Sequence, residues 1–206
     1  MFGRPSRSRH LGRNARNSAT PYTRASSAAR FVVARTRRYR PPSVRQSDLE
    51  CPACRAFHRA LGSVLAAHSK DVSAVFVHYP LAQHRFAMAA ARAVECAAAV
   101  GQFAQLVASF YDKQDSLGLK SWGSYAREAH IRDTTSIAKC ATSSARVARV
   151  EAGLAYGNRI GVQFTPTIII NGWRLAGTPS QLELERIVQA LLKGEVPFDT
   201  SAKVSD

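Results

Sequence analysis

Two cysteines three positions apart, Cys51 and Cys54, bracket Pro52 and Ala53. Sulfurs at this spacing lie just under one helical turn apart, close enough to join in a disulfide and to part again. Proline suits the first turn of a helix, where its missing N–H costs nothing, so a helix is expected to start at the motif. A sulfur at that end faces unpaired N–H groups and the positive end of the helix dipole. Both favour thiolate over thiol, which would bring Cys51 from about 8.5 into the range of roughly 3.5–7.5. The chemistry this allows is dithiol–disulfide exchange: Cys51 attacks or is attacked, and Cys54 resolves the mixed disulfide. Half of a zinc site and a chance pair of inert thiols are the alternatives. The remaining cysteines, Cys96 and Cys140, are 44 positions apart with no Cys or His neighbour at ligand spacing, so no metal is expected.

The elements that must position this pair follow from periodicity. Phe57, Leu61, Val64 and Leu65 recur at helical spacing within Arg55–Lys70. Ser73–Tyr79 is β-branched and aromatic and ends at Pro80, which predicts a buried strand. From about Arg85 to Ile160 the chain is Ala-rich and helical in period. Breaks near Gly101, Ser116–Gly118, Asp133 and Thr142–Ser144 suggest four helices. Thr167–Asn171 predicts a strand, Asn171-Gly172 a hairpin turn, and Trp173–Ala176 the returning strand. Leu182–Lys193 predicts an amphipathic helix with Leu182, Leu184, Ile187, Val188, Leu191 and Leu192 on one face and Gly194 as its stop. Helix, strand, helical block, hairpin and helix together form an α/β layer pattern.

Charge divides the 206 residues unequally. Residues 1–47 hold twelve arginines and no Lys, Asp or Glu, leaving 17 basic and 14 acidic residues in 48–206. Twelve of the net +15 charges therefore belong to an N-terminal arm, which is expected to be disordered, and the body is nearly balanced at +3. Three accounts of the arm stay open: a transit-peptide-like leader, a phosphate-binding arm, or a non-native start. No stable nucleic-acid partner is expected of the body. No run of 18 or so apolar residues predicts a membrane span, and the run Phe31–Ala34 is too short for a secretory signal.

Asp48-Leu49-Glu50-Cys51-Pro52-Ala53-Cys54, then His78-Tyr79-Pro80-Leu81, a helical stretch, and Phe164-Thr165-Pro166-Thr167 ahead of Ile168-Ile169-Ile170-Asn171-Gly172 resemble the DsbA-like branch of the thioredoxin superfamily. The resemblance covers about residues 48–194. It implies a thioredoxin fold with an inserted helical domain, here about 84–160 of a domain spanning 48–206. It implies a thiol–disulfide oxidoreductase with no bound cofactor, whose partners are protein thiol or disulfide substrates and a redox partner. It also implies a cis Pro166 against the active-site disulfide, with Thr165 offering backbone groups to the substrate chain. Family members carry cysteines at places like Cys96 and Cys140, sometimes bonded to each other; here a disulfide and two buried free thiols are both open. Such proteins work in the periplasm or elsewhere outside the cytosol, where disulfides persist.

The Pro52-Ala53 pair should tune the redox direction, and Ala53 brings no donor or charge, so oxidase, reductase and isomerase all stay open. A non-enzymatic module holding soft Cu(I) through Cys51 and Cys54 is a further alternative. His84 follows the Tyr79-Pro80-Leu81 turn and could approach the active site, but it reads rather as a surface or capping residue, and Trp122 and Trp173 read as packing residues. One feature departs from the resemblance. A central strand should precede Cys51, yet Ser43–Glu50 offers only Val44 and Leu49 as apolar residues and would place Arg45 and Gln46 inside. The segment is therefore expected to pair poorly.

Overall fold

The computed structural model describes residues 43–175, 177–195 and 197. A mixed four-stranded sheet is formed by β1 (Ser43–Ser47), β2 (Ala74–His78), β3 (Thr167–Ile170) and β4 (Trp173–Arg174), in the order β2-β1-β3-β4. β1 runs parallel to β2, with Arg45 opposite Phe76, and antiparallel to β3, with Arg45 opposite Ile168.

This corrects the expectation for the segment before Cys51. The strand exists and lies at the centre of the sheet, so Ser43–Ser47, ahead of Asp48, take part in the fold. Residues 1–42 of the expected arm, including Phe31–Ala34, lie outside the described residues. Backbone pairing on both sides holds β1, and hydropathy does not report that pairing. Its polar side chains go inward regardless. Gln46 is fully buried, and neither its Nε2 nor its Oε1 has a partner among the described residues. The Arg45 guanidinium lies 5.2 Å over the Phe76 ring while its Nε is buried and unpartnered. A cation–π contact contributes about 0.5–2 kcal/mol, against a desolvation cost of several kcal/mol for a buried ion. The contact alone does not offset the burial.

One apolar layer consists of Phe57, Leu61 and Val64 from α1 (Pro52–Ala67), Ile168 and Ile170 from β3, and Leu184 and Val188 from α7 (Gln181–Lys193). Burying such side chains contributes about 1.5–3 kcal/mol each, and the layer fixes α1 against the sheet. Ser180 and Glu183 form a capping box that starts α7. Leu182 does not join the layer: it occupies the first turn and is 61% exposed. The β3–β4 turn is the expected hairpin, with φ 49° at Asn171 and 88° at Gly172; two successive positive φ values define the tight turn that matches strand twist.

Between β2 and β3 come five helices where four were expected: α2 (Ala87–Ala99), α3 (Phe103–Asp112), α4 (Trp122–Glu128), α5 (Thr134–Thr142) and α6 (Ala148–Arg159). The break at Asp133 is an N-cap, its side chain accepting from the Ser136 N–H, and it separates α4 from α5. A second core links these helices to the start of α1 through Leu49, Cys51, Cys54, Leu106, Phe110, Tyr111 and Tyr125. Trp122 packs on it as expected, its ring 5.7 Å from that of Phe110. α6 approaches β2 so closely that a Cβ on Gly153 would stand 2.2 Å from the His78 carbonyl oxygen. Buried Glu95 accepts from His78 Nε2 at 2.8 Å and Arg149 Nη1 at 3.4 Å, joining β2, α2 and α6. Burial opposes the Glu95 charge, but the hydrogen bonds and the field of these two partners outweigh it and lower its pKa.

Beside Glu95, Cys96 on α2 is bonded to Cys140 on α5, with Cα atoms 6.4 Å apart. Of the two possibilities left open by the sequence, the disulfide is the one present. Closing a loop of 44 residues stabilises by about 3–4 kcal/mol in the chain-entropy model. No helix among the described residues is long and apolar enough to cross a membrane.

Candidate active site

Helix α1 starts where the cysteine spacing predicts. Cys51 is its N-cap, Pro52 fills the first position, and the Arg55 N–H closes the first turn on the Cys51 carbonyl at 3.1 Å. No side chain caps this end, so the N–H groups of the first turn face the Cys51 sulfur. Both thiols are free and both are buried, Cys54 the more deeply, while Pro52 and Ala53 between them are exposed.

From the other side comes the loop before β3. The Thr165–Pro166 peptide bond is cis, and the Thr165 carbonyl accepts from the Cys51 thiol at 3.2 Å. The Thr165 hydroxyl oxygen is buried without a partner, and the Phe164 side chain beside it is 49% exposed. The Cys51 sulfur thus lies against a backbone carbonyl 114 residues away in sequence.

The two sulfurs differ electrostatically. Cys51 is lowered to about 6, chiefly by the hydrogen bond that the Cys54 thiol gives its sulfur; burial opposes this, and the N–H groups of Cys54 and Ala53 assist. Cys54 is shifted the other way, raised by desolvation and by the charge on Cys51. At neutral pH the pair is therefore a Cys51 thiolate beside a Cys54 thiol, a nucleophile next to its proton donor.

Other side chains complete the site, and of these the sequence reading weighs His84 alone for a place there. Asp48 has a fully buried carboxylate that accepts from the Glu50 N–H at 2.8 Å, the Leu81 N–H at 2.7 Å and His84 Nδ1 at 2.8 Å. His84 thus fastens the loop after β2 to the turn before Cys51, and Glu50 adds a second tie by accepting from the Phe86 N–H at 2.6 Å. Gln114, in the 3₁₀ turn after α3, donates to the Leu49 carbonyl at 2.8 Å and the Cys51 carbonyl at 3.0 Å. Tyr111 on α3 donates to the Asp48 carbonyl at 3.4 Å, and the Asp48 N–H lies 3.5 Å from the Cys54 sulfur. These bonds span 63 to 65 residues from the helical block to the turn, which no local pattern reports. Of the others, Asp48 alone had a signal, its place three residues before Cys51. No metal-binding group of three or more His, Cys, Asp or Glu occurs among the described residues.

The family model described as Thioredoxin matches residues 44–190. The Na(+)/H(+) antiporter NhaA 1 of Mycolicibacterium vanbaalenii is 31% identical over 149 residues, which are 71% of this chain and 24% of the antiporter. The chain thus spans about a quarter of the length of the curated relatives it matches. The solved structure of Chlamydia trachomatis DsbA is similar at a TM-score of 0.65 and 18% identity, covering 84% of this chain and 98% of that one. Oxidised BdbD from Bacillus subtilis is similar at 0.64 and 20%, covering 74% and 88%. With a match over most of its length, the chain belongs to the thioredoxin family, and its fold is similar to those of DsbA and BdbD.

Proposed function

We propose that the chain is a thiol–disulfide oxidoreductase in which Cys51 exchanges with protein substrates, Cys54 resolves the mixed disulfide, and Thr165-Pro166 docks the substrate backbone beside the sulfur. The observation that carries this is the difference between the two thiols: Cys51 is lowered to about 6 at a helix N-terminus and Cys54 is raised behind it. Exchange needs one sulfur ready to attack at neutral pH and a second kept as thiol until the first has reacted. Pro52 and Ala53 leave the approach to Cys51 open, since both are exposed and neither is charged. The second disulfide, Cys96–Cys140, supports placing the chain in an oxidising compartment outside the cytosol.

Mixing the full chain with a thiol-reactive disulfide peptide tests the roles. Cys54→Ser should accumulate a stable mixed disulfide through Cys51, the parent chain should pass through that species without accumulating it, and Cys51→Ser should form none. Equal trapping by both single variants would overturn the assignment.

A further inference from the structure

Exchange at this site requires a step in which Cys54 departs. When a substrate thiolate attacks Cys51 of the Cys51–Cys54 disulfide, a substrate–Cys51 bond forms, the bond between Cys51 and Cys54 breaks, and the electron pair leaves on Cys54 as thiolate. Cys54 is 1% exposed, so water does not solvate the charge and the protein must supply a donor. The Asp48 N–H is such a donor, 3.5 Å from the Cys54 sulfur. Burial raises the Cys54 pKa most, and this N–H works against it.

A donor stabilises a forming anion best when its direction is fixed before the reaction. The Ser47–Asp48 peptide, which carries this N–H, is fixed from the loop after β2. Its carbonyl accepts from the Tyr79 N–H at 2.9 Å. The Asp48 carboxylate accepts from the Leu81 N–H at 2.7 Å and from His84 Nδ1 at 2.8 Å. On its other side the carboxylate accepts from the Glu50 N–H at 2.8 Å, within the turn whose Asp48 carbonyl takes the Cys51 N–H at 3.3 Å. Tyr79 and Leu81 give main-chain donors that most residues would supply; His84 gives a side chain. A carboxylate only accepts, so Nδ1 carries the proton. The Asp48 carboxylate has no exposure, so this charge-assisted bond forms away from water and is stronger than a surface pair. Resting on the oxidoreductase reading above, we infer that His84 is a positioning residue for exchange: through the Asp48 carboxylate it holds the Ser47–Asp48 peptide so that its N–H meets Cys54 leaving as thiolate.

The test is the rate at which dithiothreitol opens the oxidised active-site disulfide of the full chain, read beside the pH profile of Cys51 alkylation. His84→Leu removes the donor and keeps comparable bulk. It should slow opening about tenfold, the effect of weakening one hydrogen bond to a charged group. His84→Asn places an amide N–H where Nδ1 stood and should restore most of the rate. Two readouts separate this from a general loosening of the turn. The Cys51 profile should keep its midpoint near 6; a loosened turn would move it, because the Asp48 carbonyl holds the Cys51 N–H. In the Cys54→Ser chain, dithiothreitol should release a peptide from Cys51 equally fast with His84 or Leu, because Cys54 is no longer the departing sulfur. If His84→Leu does not fold, His84→Phe supplies a ring without a donor for the same comparisons. Opening at the parent rate without the donor, or a His84→Asn variant as slow as His84→Leu, would overturn the proposal. So would a Cys51 midpoint that rises in step with the slower opening, or slower peptide release in the Cys54→Ser chain. A parent chain whose Cys51 and Cys54 form no thiol-reducible disulfide would overturn the oxidoreductase reading, and this inference with it.

Discussion

The protein contains two cysteine pairs, and they do opposite things with the same element. Cys96 and Cys140 come from the interiors of α2 and α5, where the backbone N–H groups are already used within each helix, and they are bonded to each other. Cys51 and Cys54 lie at the open start of α1, where N–H groups remain unpaired and one sulfur becomes a thiolate. Sequence separation adds to the contrast, with 44 residues closed by the first pair and two residues between the members of the second. A long closed loop favours a bond that stays formed, and a helix N-terminus favours the reduced partner, which makes the short bond easy to open. Reactivity in this chain is set by where a sulfur sits on a helix.

The largest way to sharpen this comparison is to remove the structural pair. Cys96→Ala with Cys140→Ala should lower stability by about 3–4 kcal/mol in denaturant unfolding, while the Cys51–Cys54 pair still exchanges with peptide thiols. Loss of exchange in a variant that remains folded would show that the pairs are not independent. A smaller effect is expected at Gln114→Leu, which removes the donor shared by the Leu49 and Cys51 carbonyls. Losing these buried hydrogen bonds should cost about 1–3 kcal/mol, with the Cys96–Cys140 bond still shielded from alkylation. An unchanged unfolding midpoint would mean that the helical block does not hold the turn through this side chain.

The last difference is one of slope. The folded-state pKa of Cys51 is depressed, so its thiolate stabilises the dithiol form fully above the unfolded-state value and loses that contribution as pH falls through about 6. Stability of the dithiol form relative to the disulfide form should therefore rise between about pH 6 and pH 9, measured as paired unfolding curves. A flat difference across that window would contradict the assignment of the thiolate to Cys51.

Much of this arrangement was legible in the residues. Cys51 and Pro52 mark the start of α1, Asn171-Gly172 marks the hairpin, and Gly194 ends α7, because each is a local signal satisfied by local backbone geometry. β1 was not legible as a central strand. Its hydrogen bonds to β2 and β3 form across long separations, and Arg45 and Gln46 are polar where hydropathy expects apolar residues. The Asp48 cluster was hidden for the same reason: Leu81, His84, Tyr111 and Gln114 reach it from distant segments, and only the folded chain brings them together. Leu182 shows the opposite failure, an apolar residue at the right period but one turn too early to meet the core.

A redox titration of the full chain, with thiols trapped by an alkylating mass tag at each potential, tests the central claim most directly. The account predicts a single two-electron transition confined to Cys51 and Cys54, with Cys96 and Cys140 blocked throughout. The midpoint then assigns direction, near about −120 mV for an oxidase and near about −270 mV for a reductase. Labelling of all four cysteines together, independent of potential, would contradict the division of the two pairs and the oxidoreductase reading with it.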